Sequence, residues 1–427
     1  MHKLLFSSLA VLMLLSGCTT HSLLDPEAKK EEPLYIDENT LILFALDAQN
    51  RGDDAQAVGY YDLLYERTKK GLYRDQAMGA LIHGRYYDDV VERVLSMRQN
   101  SEEISEQDQR YFIIALLSGN EIESAKEEAL TLVQKSPTEE NYLILAEVYL
   151  LEKDYDKTLD VLEKGYGLNY SEQILDKIAL LMYTNMNRRM EAVERLEQHI
   201  EHFGYSLAVT KRLAALYGDL RNEEGLLRTY PHLYDLDPTA QNAEIVIQLY
   251  WNAKKVPELT KFLERTGSND ALLLRIYSGE KRFSEAVVLA EKLYEETGEI
   301  DYLGQKAIFA YEAAKNKHDK QLLDSVISDL KKVVEIKEEG YYLNYLGYCM
   351  IEYDRDIEAG MAYVKRALAI EPDSGYFIDS LAWGYYKQGE CEKAYELMKR
   401  VVEIMGDDDE EVKAHLKAIK KCKKGKK

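Results

Sequence analysis

The chain has little proline, cysteine, phenylalanine and tryptophan, with 7, 4, 8 and 2 of these residues among 427. So few prolines favour long, uninterrupted helices over many short loop-bound elements. Positive charge is also scarce: 55 Lys and Arg stand against 76 Asp and Glu, giving a net charge of -21. This excludes nucleic acid as an expected partner, because phosphates demand a basic surface. The first apolar run, from Leu4 to Leu15, would span ~18 Å as a helix, which is too short to cross a bilayer.

The most informative segment is Leu15-Ser16-Gly17-Cys18, at the end of that apolar run. A positively charged start, a short apolar core and small residues before a cysteine are typical of an exported protein. The segment resembles the lipobox of bacterial lipoproteins. The resemblance implies that residues 1–17 are a signal peptide and that Cys18 carries acyl chains such as palmitate. Two or three such chains would anchor the chain stably without a membrane-spanning helix. The alternative is an ordinary signal peptide that is cut elsewhere.

The residue after that cysteine bears on the location of the protein. Thr19 stands where lipoproteins retained in the inner membrane often have Asp, so the family resemblance implies the outer membrane, facing the periplasm. The inner membrane is the alternative. Residues 18–37 are polar and charged and contain Pro26 and Pro33, which is typical of a flexible tether.

A repeat with a period near 34 residues predicts the fold. A shift of 34 places the segment from Tyr341 to Pro372 over the segment from Gly375 to Gly406. It brings Gly360 over Ala394 and Val364 over Met398, at positions where two helices of a hairpin must approach closely. Weaker copies upstream predict about eleven helical hairpins over residues 38–406. Between residues 300 and 339 the spacing exceeds the period, which predicts longer helices or an inserted loop near 316–320.

These positions resemble the tetratricopeptide (TPR) repeat, through Leu381-Ala382, Tyr385, Gly389, Ala394 and Met398. The resemblance implies an all-α fold, a TPR-like α-solenoid in which hairpins stack into a right-handed superhelix. Residues 407–427 are predicted to form a capping helix and a basic tail, because a stacked array needs a last element with one charged face.

The TPR resemblance also implies which side chains line a protein-binding groove, since the first helix of each hairpin faces the concave side. Six aromatic residues of the last two hairpins are the candidates: Tyr342, Tyr345, Tyr353, Tyr376, Trp383 and Tyr386. An exposed aromatic strip of this size would mark a partner site. The alternative is that several of these rings pack between repeats.

The cysteines predict one disulfide bond. If the last two helices are antiparallel neighbours about Gly406 and Asp407, Cys391 and Cys422 lie equally far from that turn and side by side. An exported protein works in an oxidising compartment, where such a pair can join. Two unrelated thiols are the alternative. Cys349 is expected to be a free, packed thiol.

Catalytic motifs do not emerge from the sequence. It contains no Gly-rich phosphate loop and no Gly-x-Ser-x-Gly elbow. His199 and His202 share a helix face, but a metal site needs further converging ligands. We therefore expect no enzymatic activity, no metal and no cofactor.

Lipobox and repeats together resemble bacterial outer-membrane repeat lipoproteins. Some of these are adaptors that hold a carboxy-terminal processing protease and deliver cell-wall hydrolases to it. Residues 343–348 and 379–385 are similar to the C-terminal repeats of that group. The resemblance implies a membrane-tethered periplasmic scaffold that binds other proteins. The alternative function is a structural part of an envelope machine, such as a pilus, flagellar motor or outer-membrane complex. The oligomeric state stays open.

Overall fold

The computed structural model describes residues 36–406 and 408–425, which form helices and, over those ranges, no strand. The predicted signal peptide, Cys18 and most of the tether lie outside the described residues. The chain divides into two compact units, one up to His199 and one from Ile200 onward.

The first unit consists of five helical hairpins in chain order. Its helices are α1 (Glu38–Asn50), α2 (Asp54–Thr68), α3 (Gly71–His83), α4 (Tyr87–Gln99), α5 (Glu106–Ser118), α6 (Ile122–Lys135), α7 (Glu139–Leu151), α8 (Tyr155–Asn169), α9 (Glu172–Leu180) and α10 (Arg189–Phe203). Helix α9 continues as one π-helical turn (Leu181–Asn185). The boundary between the units falls within α10, so its residues from Ile200 onward belong to the second unit.

The second unit consists of six hairpins and a final single helix. Its helices are α11 (Leu207–Asp219), α12 (Glu223–Leu236), α13 (Ala240–Asn252), α14 (Val256–Thr266), α15 (Asp270–Gly279), α16 (Phe283–Thr297), α17 (Ile300–Ala313), α18 (Lys320–Ile336), α19 (Gly340–Glu352), α20 (Ile357–Ile370), α21 (Gly375–Lys387), α22 (Cys391–Met405) and α23 (Glu410–Gly425). The all-α fold of about eleven stacked hairpins, predicted from the repeat, is confirmed.

Ten of the eleven hairpins in the described part of the chain turn in the same way. Each connection places one residue in the left-handed region, with φ between 51° and 73° or at 77° in the last hairpin. Glycine is the left-handed residue in only two of these hairpins, at Gly52 and Gly389. The eight others are Arg85, Asn120, Lys153, Asn187, Arg221, Lys254, Lys281 and Asp354. The repeat therefore imposes its turn even on residues that carry a Cβ.

The exception is the hairpin of α17 and α18, where the period is longer. Its connection runs over residues 314–319, and α18 has 17 residues. Both a longer helix and an inserted loop are therefore present, at the place where the spacing predicted one or the other.

Small residues allow the two helices of a hairpin to touch. A Cβ added to Gly347 would lie 2.6 Å from the backbone oxygen of Gly360, so α19 and α20 cross backbone to backbone. In the next hairpin Ala394 and Met398 are fully buried. The predicted repeat positions are thus the contact positions of the hairpins.

The final helix follows the expected capping pattern, with one difference. Val412 and Ile419 are buried and Leu416 is half-buried, while charged residues cover the other face. The helix continues to Gly425 and so includes Lys420 and Lys424, which were assigned to the basic tail. Lysines in a last helical turn are favoured by the helix dipole. None of the helices within residues 36–406 and 408–425 is long and apolar enough to cross a membrane.

Candidate protein-binding site

A cavity of about 600 Å³ lies in the second unit among α17, α19, α21 and α23. Its walls are unusually rich in tyrosine. Six phenol side chains line it: Tyr311, Tyr341, Tyr345, Tyr348, Tyr353 and Tyr376. A concave site of this volume, with aromatic walls and a few polar groups, is of the kind that holds a ligand.

Three of the six predicted groove residues line this cavity, namely Tyr345, Tyr353 and Tyr376. Tyr342 does not, and its placement in the groove is wrong. Its side chain is buried against Gly304, where an added Cβ would lie 2.4 Å from the ring, and its hydroxyl lies 3.3 Å from the backbone oxygen of Asp301. It therefore packs between repeats, which was the alternative left open.

Trp383 and Tyr386 also lie outside the cavity, and both are half-buried. They stack on each other with ring centroids 4.6 Å apart, and Trp383 stacks on His415 of α23 at 4.0 Å. The indole N–H donates to Glu352. The reason is that α23 packs on α21 as well as on α22, and so covers this part of the predicted strip.

Hydrogen bonds hold four of the six phenol groups of the cavity in place. Tyr345 donates to Glu312, and Tyr348 on α19 donates to Glu411 on α23. The hydroxyls of Tyr311 and Tyr353 lie 3.0 Å apart. The final helix is thus tied to the cavity wall through a polar contact.

The phenols of Tyr311, Tyr345 and Tyr348 are neutral over the ordinary pH range. Burial, followed by their hydrogen bonds and neighbouring carboxylates, raises the pKa of Tyr345 and Tyr348 far above the usual value near 10. Burial raises the pKa of Tyr311 in the same way. The O–H groups of Tyr345 and Tyr348 therefore act as donors to Glu312 and Glu411, and all three rings carry no charge.

Two lining side chains contain an oxygen without a hydrogen-bond partner. They are Asn344, through its amide oxygen Oδ1, and Asp379, through its carboxylate oxygen Oδ1. Both atoms are shielded from solvent, and Asp379 is only 6% exposed. A buried acceptor without a donor is destabilising, and native structures contain few of them.

The other oxygen of Asp379 pairs with the final helix. Nδ1 of His415 lies 2.8 Å from Oδ2 of Asp379, and both side chains are buried. Burial opposes protonation of His415, but the hydrogen bond and charge of Asp379, with the more distant Glu411 and Glu352, outweigh it and raise its pKa above 6.5.

This pair predicts how stability depends on pH. A histidine whose pKa is raised on folding stabilises the fold fully below its unfolded pKa, and this contribution is lost as the pH rises through the folded pKa. We expect the unfolding free energy of the wild type to exceed that of His415→Gln most at pH 5.5. The difference should shrink toward pH 8.5. Urea titrations of both proteins across this range measure it; a difference that grows with pH contradicts the assignment.

The structure brings the two predicted disulfide partners together. Cys391 begins α22 and Cys422 lies near the end of α23, with Cα atoms 5.7 Å apart and the sulfur atoms joined. This Cα separation is usual for a disulfide. The disulfide bond itself stays a prediction. Cys349 is free and buried, and burial raises the pKa of its thiol to about 12, which leaves it unreactive.

Of the two histidines considered as metal ligands, His199 packs inside the protein and His202 does not. His199 is buried, and its Nδ1 lies 2.8 Å from the hydroxyl of Tyr166. His202 is exposed. No group of three His, Cys, Asp or Glu side chains suited to a metal occurs among the residues that the structure describes.

Helical spacing was the missed signal for the cavity. Tyr341, Tyr345 and Tyr348 lie at i, i+4 and i+7 on α19 and share one face, whereas Tyr342 lies on the next. Tyr348 also stands where the following repeat has Ala382, so a large polar ring replaces a small packing residue. Asn344 and Asp379 carried no signal of this kind.

The hairpins and their common turn define a TPR-like helical repeat protein with a polar, tyrosine-lined cavity in its second unit. No protein-family model matches this chain, and no curated protein matches it.

Solved structures with similarity to the chain include three helical proteins. The first, "Structure of Naa15/Naa10 bound to HypK-THB", has 17% identity and a TM-score of 0.35 over 90% of this chain and 60% of that chain. The APC/C hetero-tetramer Cut9-Hcn1 has 11% identity and a TM-score of 0.35 over 90% and 96%. MamA has 17% identity and a TM-score of 0.27 over 35% and 94%. The chain thus spans 60% of the length of the first of them.

Proposed function

We propose that this protein is a membrane-tethered periplasmic scaffold that binds a segment of another protein at the tyrosine-lined cavity, and that it is not an enzyme. The single observation that carries the proposal is the cavity itself. It combines aromatic walls with unpaired polar atoms, and Tyr341 and Tyr376 are 52% and 61% exposed beside it. Large exposed aromatic side chains around a concave site are typical of interaction surfaces.

The lipobox resemblance supports the location of this scaffold, and the resemblance to repeat lipoproteins supports the class of partner. We propose a carboxy-terminal processing protease or its cell-wall hydrolase substrates as that class. A tether at Cys18 would hold the partner close to the membrane, which raises its effective concentration there.

Site-specific crosslinking tests the proposal. A photoreactive benzoylphenylalanine in place of Tyr376 should capture a periplasmic protease or hydrolase in intact cells, identified by mass spectrometry. The same residue in place of Trp251, which is 54% exposed on α13 and does not line the cavity, is the matched control. Equal capture at both positions, or none at Tyr376, would contradict the proposal. Capture of components of a large ring or pore would favour the envelope-machine alternative.

A further inference from the structure

We propose that the cavity binds a cationic side chain, lysine or arginine, of the partner segment. This inference rests on the proposed function and names the anchor that the cavity recognises. Three observations carry it: the charge of the lining, the unpaired acceptor oxygens and the arrangement of the aromatic rings.

The charged side chains of the lining are mainly acidic. Glu312, Asp379 and Glu411 are carboxylates, and Lys317 is the one basic side chain among the lining residues. The ammonium of Lys317 lies 3.2 Å from Glu312, so it is already paired. His415 does not line the cavity, but its imidazole pairs with Asp379 and offsets part of the negative charge. The negative excess would repel an anionic ligand and attract a cation.

The two unpaired oxygens of the lining require a ligand that donates hydrogen bonds. Asp379 is nine-tenths buried, and its Oδ1 lacks a partner although its Oδ2 pairs with His415. The amide oxygen of Asn344 is also shielded from solvent and also lacks a partner. Both atoms only accept hydrogen bonds, so their complement is an N–H group. Lysine and arginine offer three and five such donors and no acceptor. An apolar side chain would leave both oxygens unpaired, at a continuing free-energy penalty.

The rings supply the rest of a cation site. Tyr345 stands edge to face with Tyr311 at 5.9 Å and with Tyr341 at 5.6 Å, so ring faces and edges meet at the cavity wall. One cation–π contact is already present at this wall, since the ammonium of Lys317 lies 4.3 Å from the ring centre of Tyr311. Neutral tyrosine rings attract ammonium and guanidinium groups through their π faces.

Binding of short peptides to the full chain in detergent tests the inference. The probes are the acetylated, amidated pentapeptides Ala-Ala-X-Ala-Ala, with arginine, lysine, citrulline or norleucine at X. Citrulline keeps the shape of arginine and lacks its charge. We expect the arginine and lysine peptides to bind about tenfold more tightly than the two neutral peptides, in line with hydrogen bonds to a charged group. Saturation-transfer NMR titrations measure the dissociation constants.

Two variants locate the site. Asp379→Asn should lower the affinity for the arginine peptide about tenfold, because it removes the charge and keeps the shape. Asp373→Asn removes the same charge from a side chain that is 86% exposed and outside the cavity, and should leave the affinity unchanged. Circular dichroism checks the fold of both variants. The comparison of the four peptides uses only the wild-type protein. It therefore still tests the inference if Asp379→Asn does not fold.

Several outcomes would overturn the inference. They are equal binding of arginine and citrulline peptides, no binding of the arginine peptide at millimolar concentration, or an equal loss of affinity in both variants. If crosslinking from Tyr376 still captures its partner in any of these cases, the scaffold function stands and only the cationic anchor is wrong. If crosslinking fails while the cationic peptides bind, the proposed function is wrong and the cation site remains.

Discussion

Replacement of Cys18 by serine is expected to abolish acyl labelling completely and to release the protein from the membrane fraction. The thiol is the only group in the lipobox-like segment that can carry the thioether-linked lipid, and a hydroxyl does not replace it. Each buried CH₂ of an acyl chain contributes about 0.8 kcal/mol to membrane binding, and stable anchoring takes two chains. Loss of all chains therefore changes a tethered protein into a released one.

Metabolic labelling with an alkyne analogue of palmitate, followed by membrane fractionation, measures both effects. Cys349→Ser is the control, since it replaces a free thiol far from the predicted lipobox and should keep the label. A wild-type chain that takes up no label, or a Cys18→Ser chain that keeps it, would favour an ordinary signal peptide that is cut elsewhere.

The repeat was readable in the sequence because close helix packing demands small residues at fixed intervals. Gly360 and Ala394 stand 34 residues apart and both lie where two helices touch. Such local constraints recur along a repeat array and therefore leave a period. The turns were less visible, since eight of them place a residue other than glycine in the left-handed region.

The cavity could be predicted only in part, because its walls depend on contacts between distant segments. Helical spacing places Tyr342 and Tyr345 on different faces of α19, but it does not tell that the first packs on Gly304 and the second lines the cavity. Trp383 is covered because His415, 32 positions later, stacks on it. Neither contact follows from helical spacing, since each requires knowing which helices of other hairpins lie opposite.

Loss of the link between Cys391 and Cys422 is expected to lower the unfolding free energy of the second unit by about 3–4 kcal/mol. The two cysteines are 31 positions apart, and a covalent loop of that length restricts the unfolded chain by roughly this amount in the chain-entropy model. Urea unfolding of the oxidised and the reduced wild type measures the change. The double variant Cys391→Ala and Cys422→Ala should have low stability with and without reductant. Labelling of all three thiols Cys349, Cys391 and Cys422 in the unfolded, unreduced protein would contradict the bond.

The same change should weaken the cavity, because α23 supplies part of it. Glu411 accepts the hydrogen bond of Tyr348, and His415 holds Asp379 in place. The remaining buried surface of α23 is small, with Val412 and Ile419 as its fully buried apolar side chains. We therefore expect reduction to loosen α23, so that trypsin can cleave its backbone at the exposed lysines, and to weaken crosslinking from Tyr376. Protection of α23 that is equal before and after reduction would show that packing alone holds the helix on the cavity.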